Sequence, residues 1–164
     1  MEYTYHLKLV EPGGSGFRDV TGLAQSVTWS GDAKQIARTL SAGLAVPRDG
    51  SVEAPNLAEG AALILEQAGK VRFTGQLTQC STSSQTVVAD LSALDGGRFL
   101  AGNEGFYRFD NVTPEAAVAA MCRDFGVQTG TLAHTGITVR RKFPGVALDK
   151  IVTTLYLSLI HISE

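Results

Sequence analysis

Residues Phe109 to Gly126, FDNVTPEAAVAAMCRDFG, constrain this chain most, because they encode one helix together with both of its ends. Thr113 offers a side-chain oxygen to an orphan amide of the first turn. Pro114 follows at the first helical position, where its missing N–H costs nothing. Val118, Met121, Cys122 and Phe125 fall at i, i+3, i+4 and i+7, which is one helix face. Gly126 supplies the left-handed stop. The same spacing returns at Leu148, Ile151, Val152 and Leu155, within a helix expected over 146–156. Gly136 to Phe143 between them reads as an extended segment. The expected unit is helix, strand, helix, held by apolar faces and containing no obvious reagent.

The preceding sequence has a different period. Tyr3, Tyr5, Leu7 and Leu9 alternate with Glu2, Thr4, His6 and Lys8, the mark of a half-buried strand. EPGGSG (11–16) is a turn, and Phe17 to Val20 a short strand. Ser26 to Ser30 is a strand with Val27 and Trp29 on one face. Residues 32–46 fit two readings: Ile36, Leu40 and Leu44 recur at helical spacing, whereas Leu40, Ala42 and Leu44 alternate. Gly43 weakens a helix interior, and the neighbouring strands favour strand. Residues 47–60 form a long polar loop. Ala62 to Glu66 and Lys70 to Gln79 make a hairpin around a three-residue connection, Gln67 to Gly69. Leu63, Leu65, Val71 and Phe73 are placed on its apolar side. Ser81 to Gln85 is a polar turn, and Thr86 to Leu94 a strand with Val87, Ala89 and Leu91 on one face. The fold class is therefore α+β, mainly β. Residues 1–95 form an antiparallel meander of about six strands, a small barrel or strongly bent sheet. A glycine-rich bridge from Leu94 to Phe109 leads to the α/β unit, with the boundary near residue 96.

Composition excludes several functions. The net charge of −2 gives no general field for nucleic acid or anionic membrane. The start of the chain lacks the charged and apolar segments of a signal peptide, and no apolar run approaches a membrane span. The expectation is a soluble protein made in the cytoplasm. Cys80 and Cys122 lie far apart with no C-x-x-C spacing, so both read as small buried hydrophobes rather than a disulfide or a zinc site.

His6, His134 and His161 show no H-x-x-H or H-E-x-x-H pairing, so no metal site is expected. Asp90, Asp95, Glu104 and Asp110 lie in or beside the glycine-rich bridge. Two of them could in principle serve as an acid pair, but acids near turns are ordinarily caps and solubilising groups. GGSG (13–16) lacks the Lys-Ser/Thr ending of a phosphate loop, and there is no G-x-S-x-G. Asn111-Val112-Thr113 matches a glycosylation acceptor, but capping explains Thr113. The basic run Arg140, Arg141 and Lys142 could touch nucleic acid or an acidic partner, but a solvated strand end is the ordinary reading. No catalytic, cofactor-binding or metal-ligating residue is assigned. Uncovered strand edges and apolar faces instead suit a protein that assembles with copies of itself.

Five stretches, in order and spacing, resemble one family: DVTGLAQSVTWSGD (19–32), ARTLSAGLAV (37–46), VRFTGQL (71–77), residues 90–127, and GITVRRKFPGVALDKIVTTLY (136–156). They are similar to the XkdQ/YqbQ-like tail proteins of contractile-tailed phages and phage-like elements, related in architecture to baseplate hub and late control protein D families. The resemblance implies a structural protein. Hub proteins of this type form a ring, usually a trimer, from two barrels per subunit with a mixed α/β domain inserted between them. By this analogy 1–95 is the first barrel and 96–157 the start of the inserted domain. The implied partners are the protein itself, as a homotrimer when full length, and tail tube and spike or baseplate proteins. Nucleic acid, membrane and small-molecule substrates are not implied, nor is a cofactor. The implied location is the virion tail baseplate, after synthesis in the bacterial host cytoplasm. The chain is shorter than such proteins. Its end, SLIHISE (158–164), resembles a translated sequencing-adapter tail, so a truncated fragment with a foreign end is expected. The apolar face of helix 146–156 would then lose its packing partners. Two other readings stay open: a tail-associated peptidoglycan hydrolase using Asp95 or Glu104 or a part beyond this chain, and a small protein- or polysaccharide-binding module using the aromatics of 99–109.

Overall fold

A computed structural model describes residues 5–32, 35–46, 53–82 and 87–157. The chain divides into two compact units: 5–32 with 37–97, and 35–36 with 98–157, within the described residues. The described residues are mostly β, 48% strand against 21% helix.

The first unit is a seven-stranded antiparallel sheet. Its strands are β1 (Tyr5–Val10), β2 (Arg18–Asp19), β3 (Ala24–Ser30), β4 (Thr39–Ala45), β5 (Ala62–Gln67), β6 (Lys70–Thr82) and β7 (Val88–Asp95). They lie in the order β2-β1-β5-β6-β7-β4-β3. A simple meander is therefore incorrect. Only β5-β6-β7 is a meander, and it is flanked by the β1–β2 pair on one side and the β3–β4 pair on the other. This order forces the sheet to curl. Seven flat strands would span about 29 Å between the outer two. Yet β2 and β3, the two edges, are joined by residues 20–23 alone, and such a link reaches about 18 Å. The result is a curled half-barrel. Val20 within that link is buried; its amide donates to the Leu7 carbonyl at 2.8 Å, and the Thr21 hydroxyl accepts from the Leu7 amide at 2.8 Å.

The concave core follows the alternation. Leu7, Leu9, Leu40, Leu44 and Leu63 are fully buried, each worth about 1.5–3 kcal/mol relative to exposure. Residues 39–45 are a strand, as their alternation indicates. Four local expectations fail. The hairpin connection is two residues, Ala68 and Gly69, both left-handed with φ of 51° and 72°, the backbone of a tight turn matched to strand twist. A bulge sets Leu65 opposite Phe73 but Glu66 opposite Val71, so Phe73 is buried while Val71 is 59% exposed. One extra residue reverses the facing of everything beyond it. Val87 lies just outside β7 and is exposed rather than sharing the face of Ala89 and Leu91. Ser81 and Thr82, expected in a polar turn over Ser81 to Gln85, continue β6; 83–86 lie outside the described residues, as do 47–52 of the polar loop.

The second unit contains α1 (Gly97–Ala101), β8 (Glu104–Val112), α2 (Pro114–Asp124), β9 (Val139–Ala147) and α3 (Leu148–Leu157). The glycine-rich bridge is not a bridge: it folds into α1 and β8. β8 pairs with β9 as a two-stranded ribbon. Gly105 is buried, and a Cβ there would lie 2.6 Å from Tyr107 Cε2 and 2.9 Å from Leu148 Cδ2. Thr113 caps α2, accepting from the Ala116 amide at 3.4 Å, with Pro114 at the first position. Met121, Leu148, Ile151 and Leu155 are completely buried against Phe109, Phe143 and their neighbours, and Ile36 packs on the same core. The apolar face of the last helix is thus covered within this unit, contrary to the expectation that it is left bare. α3 has its partners here: α2 and the Phe109/Phe143 side of the ribbon.

Candidate interaction surface

The titratable residues singled out in the sequence are engaged locally. His6 Nδ1 lies 3.2 Å from Asp19 Oδ2 across β1 and β2. The Thr21 hydroxyl and amide hold the Asp19 carboxyl below its usual value, His6 adding to this against partial desolvation. His134 Nδ1 lies 2.6 Å from Glu115 Oε1. His161 is outside the described residues. The Asp95 carboxylate accepts from the Arg38 amide at 3.1 Å and the Gly97 amide at 3.0 Å, so it serves as a cap. Asp110 pairs with Arg140 Nε at 2.6 Å. Glu104 is exposed on β8. Cys122 is buried, but Cys80 is exposed, correcting the reading of both as core residues. Among the described residues no cluster of three or more His, Cys, Asp or Glu side chains could hold a metal ion. No helix of the described residues is long and apolar enough to cross a membrane. The Tyr107 hydroxyl donates to Asp124 Oδ2 at 3.1 Å; desolvation first, then Asp124, push its pKa up to about 12, leaving a neutral donor.

The first unit instead offers uncovered backbone. Among the described residues β3 pairs with β4 alone, which leaves its outer edge free along Ala24 to Ser30. β6 extends past β5, whose pairing stops at Gln76, so among the described residues Thr78 to Thr82 have β7 on one side only. Neither segment carries a charge or a proline, the usual guards of an exposed strand edge. The edges of the β8–β9 ribbon differ: they carry Glu104, Arg108 and Asp110 on one strand and Arg140, Arg141, Lys142 and Pro144 on the other.

Two hollows flank β3. One, of about 270 Å³, is lined by Tyr5, Val27, Trp29, Leu65, Gln67 and Arg72 and lies on the open side of the half-barrel. The Trp29 ring is 41% exposed and is covered on one face by the Arg38 guanidinium at 5.5 Å. The other, of about 230 Å³, lies on the convex face among Ser26, Thr28, Ser41, Gln79 and Ser92, beside Asp90. Sequence reading located the β3 strand but not its edge position, because pairing order is not written in any local pattern.

Comparison with known proteins fits this architecture. The profile of the YQBQ-like family matches residues 27–163. The chain belongs to the YQBQ-like family. The match reaches into 158–164, the segment set apart by its sequence. The chain is 26% identical over 118 residues to the phage-like element PBSX protein XkdQ of Bacillus subtilis (strain 168), and 24% identical over 118 residues to the uncharacterized protein YqbQ of the same strain. Each alignment covers 72% of this chain and 35% of the relative, so the chain spans about a third of the length of these curated relatives. Two solved structures share the fold. The 43 kDa tail protein of prophage MuSo2 from Shewanella oneidensis matches with a TM-score of 0.67 at 14% identity, over 93% of this chain and 48% of that one. The tail protein from Neisseria meningitidis MC58 matches with a TM-score of 0.62 at 15% identity, over 96% and 46%.

Proposed function

We propose that this YQBQ-like chain is part of a structural protein of a phage or phage-like contractile tail, a baseplate hub component that joins the tail tube to the baseplate or spike. The observation that carries the reading is the shared fold: nearly all of this chain follows the backbone of two proteins described as tail proteins. The kinship with XkdQ of a phage-like element supports it independently. The intact gene product assembles with itself, as a trimer by analogy with hub proteins, and binds tube and spike proteins. The edges support self-assembly. One unit presents two unlike, uncharged strand edges, β3 and the β6 overhang, and a head-to-tail ring needs two different surfaces on each subunit.

The hydrolase reading gains no support from Asp95, which is occupied as a cap. The test is to induce the phage-like element, purify its particles and locate the intact protein by mass spectrometry and immunogold labelling. Labelling at the tail end of the particle, with a trimer by light scattering, is the expected result. A protein absent from particles, or a stable monomer at every salt concentration, would sink the proposal.

A further inference from the structure

One side of the β8–β9 ribbon is packed into the second core; the other carries a short pattern that the tail role does not use. Outward along β8 stand Glu104, Phe106, Arg108 and Asp110, and opposite them on β9 stand Pro144, Lys142 and Arg140. Phe106 pairs with Pro144, Arg108 with Lys142, and Asp110 with Arg140. The last pair closes as a salt bridge at 2.6 Å. The middle pair does not. Arg108 and Lys142 sit directly opposite each other, both exposed, and neither pairs with an acid among the described residues. Like charges in directly opposed positions destabilise a strand pair.

Beside them Phe106 is 83% exposed. Its ring stands over Gly145, left-handed at φ 67°. A Cβ there would fall 3.1 Å from Phe106 Cζ, so the ring lies over bare backbone. The surface is thus an aromatic plate next to two uncompensated cations. It is bounded at one end by the acid Glu104 and at the other by the Asp110–Arg140 ion pair.

We infer that this ribbon face is a docking surface for a short acidic motif of a partner protein, with an apolar side chain on Phe106 and Pro144 and one or two carboxylates between Arg108 and Lys142. The ends of the patch decide the class of partner. A long polyanion such as nucleic acid would run past the cations onto the unpaired carboxylate of Glu104 at one end and onto the Asp110–Arg140 pair, whose charges cancel, at the other, whereas a motif about two residues long stays between them. The inference stands apart from the tail role, since it rests on the ribbon alone.

The probe is a short labelled peptide with one leucine followed by two glutamates, followed by fluorescence anisotropy at low and at physiological salt. A version with glutamines and a single-stranded DNA serve as comparisons. The glutamate peptide is expected to bind, more weakly as salt rises, and at least about tenfold more tightly than the glutamine version. Lys142→Glu should reduce its binding by about tenfold or more, while the melting temperature holds or rises because an opposed like-charge pair becomes an opposite-charge pair. Phe106→Ala should weaken binding several-fold, on the order expected for an exposed aromatic contact, without loss of folding. Three results would overturn the inference: no binding of the glutamate peptide at low salt, unchanged binding by the well-folded Lys142→Glu protein, or tighter binding of the DNA than of the peptide.

Discussion

Glu115 shows how a single side chain fastens a loop. It stands in the first turn of α2, where the helix dipole favours an anion. The Thr135 hydroxyl donates to its Oε2 at 2.8 Å, and His134 lies against its Oε1. Desolvation raises the carboxyl pKa, but its own backbone amide, Thr135 and Thr113 outweigh it and bring it down to about 2. A carboxylate with a depressed folded pKa stabilises the fold above its unfolded value and loses that contribution as pH falls. Glu115→Gln should therefore lower the melting temperature at neutral pH. The deficit should shrink from about pH 4.5 down to about pH 2, a window read from thermal melts at stepped pH. A deficit independent of pH would mean that Glu115 acts through packing alone. Glycine decides a second position. A Cβ on Gly75 would overlap Phe73 Cζ and come within 2.5 Å of the Leu94 carbonyl oxygen, which is backbone and cannot move aside. Gly75→Ala should cost more than about 2 kcal/mol by denaturant titration, within the range of overpacked cores. At the hairpin, Ala68 sits left-handed at φ 51°, where an L side chain is strained. Ala68→Asn should add about 0.5–1 kcal/mol, because asparagine tolerates that conformation.

At the scale of elements, α2 is the piece on which the second unit depends. Met121 is completely buried between helix and ribbon, and a carboxylate there would be an unpaired buried charge, costing several kcal/mol. Met121→Asp should unfold the second unit and leave the half-barrel folded. Trp29, the only tryptophan, lies on β3 and reports the first unit by fluorescence, while the helical circular dichroism signal reports the second. Loss of both signals together would show that the two units do not fold independently. The helix was readable from sequence because its cap, proline, period and stop are all local. β8 was not. Its alternation, Gly105, Tyr107 and Phe109 against Phe106, Arg108 and Asp110, is present in the chain, but a glycine on the buried side carries no hydrophobic signal. Gly105 is required by the closeness of Tyr107 and Leu148, a tertiary fact.

For the whole molecule, the strand order matters most. It puts an uncharged strand at one rim of a curled sheet and leaves a second uncharged stretch overhanging on β6. If these edges serve assembly, one charge on β3 should block it. Thr28 is exposed on β3, so Thr28→Lys should leave the unfolding free energy within about 0.5 kcal/mol of the original. It should also shift the intact protein from oligomer toward monomer in light scattering, since a lysine on an edge opposes strand addition. An unchanged oligomer would place the interface elsewhere.

Sequence alone determined the mainly β class, the alternating core of Leu7, Leu9, Leu40, Leu44 and Leu63, the capped helix after Thr113 and the family resemblance. Each of these is carried by residues close together or by ordered local patterns. Tertiary structure alone decided which strands lie beside which, where the Leu65/Glu66 bulge turns Val71 outward, that the last helix is covered, and that Arg108 meets Lys142. Those outcomes depend on pairings between residues far apart in the chain. Their register follows from how whole faces bury together, a quantity that no short window of sequence contains.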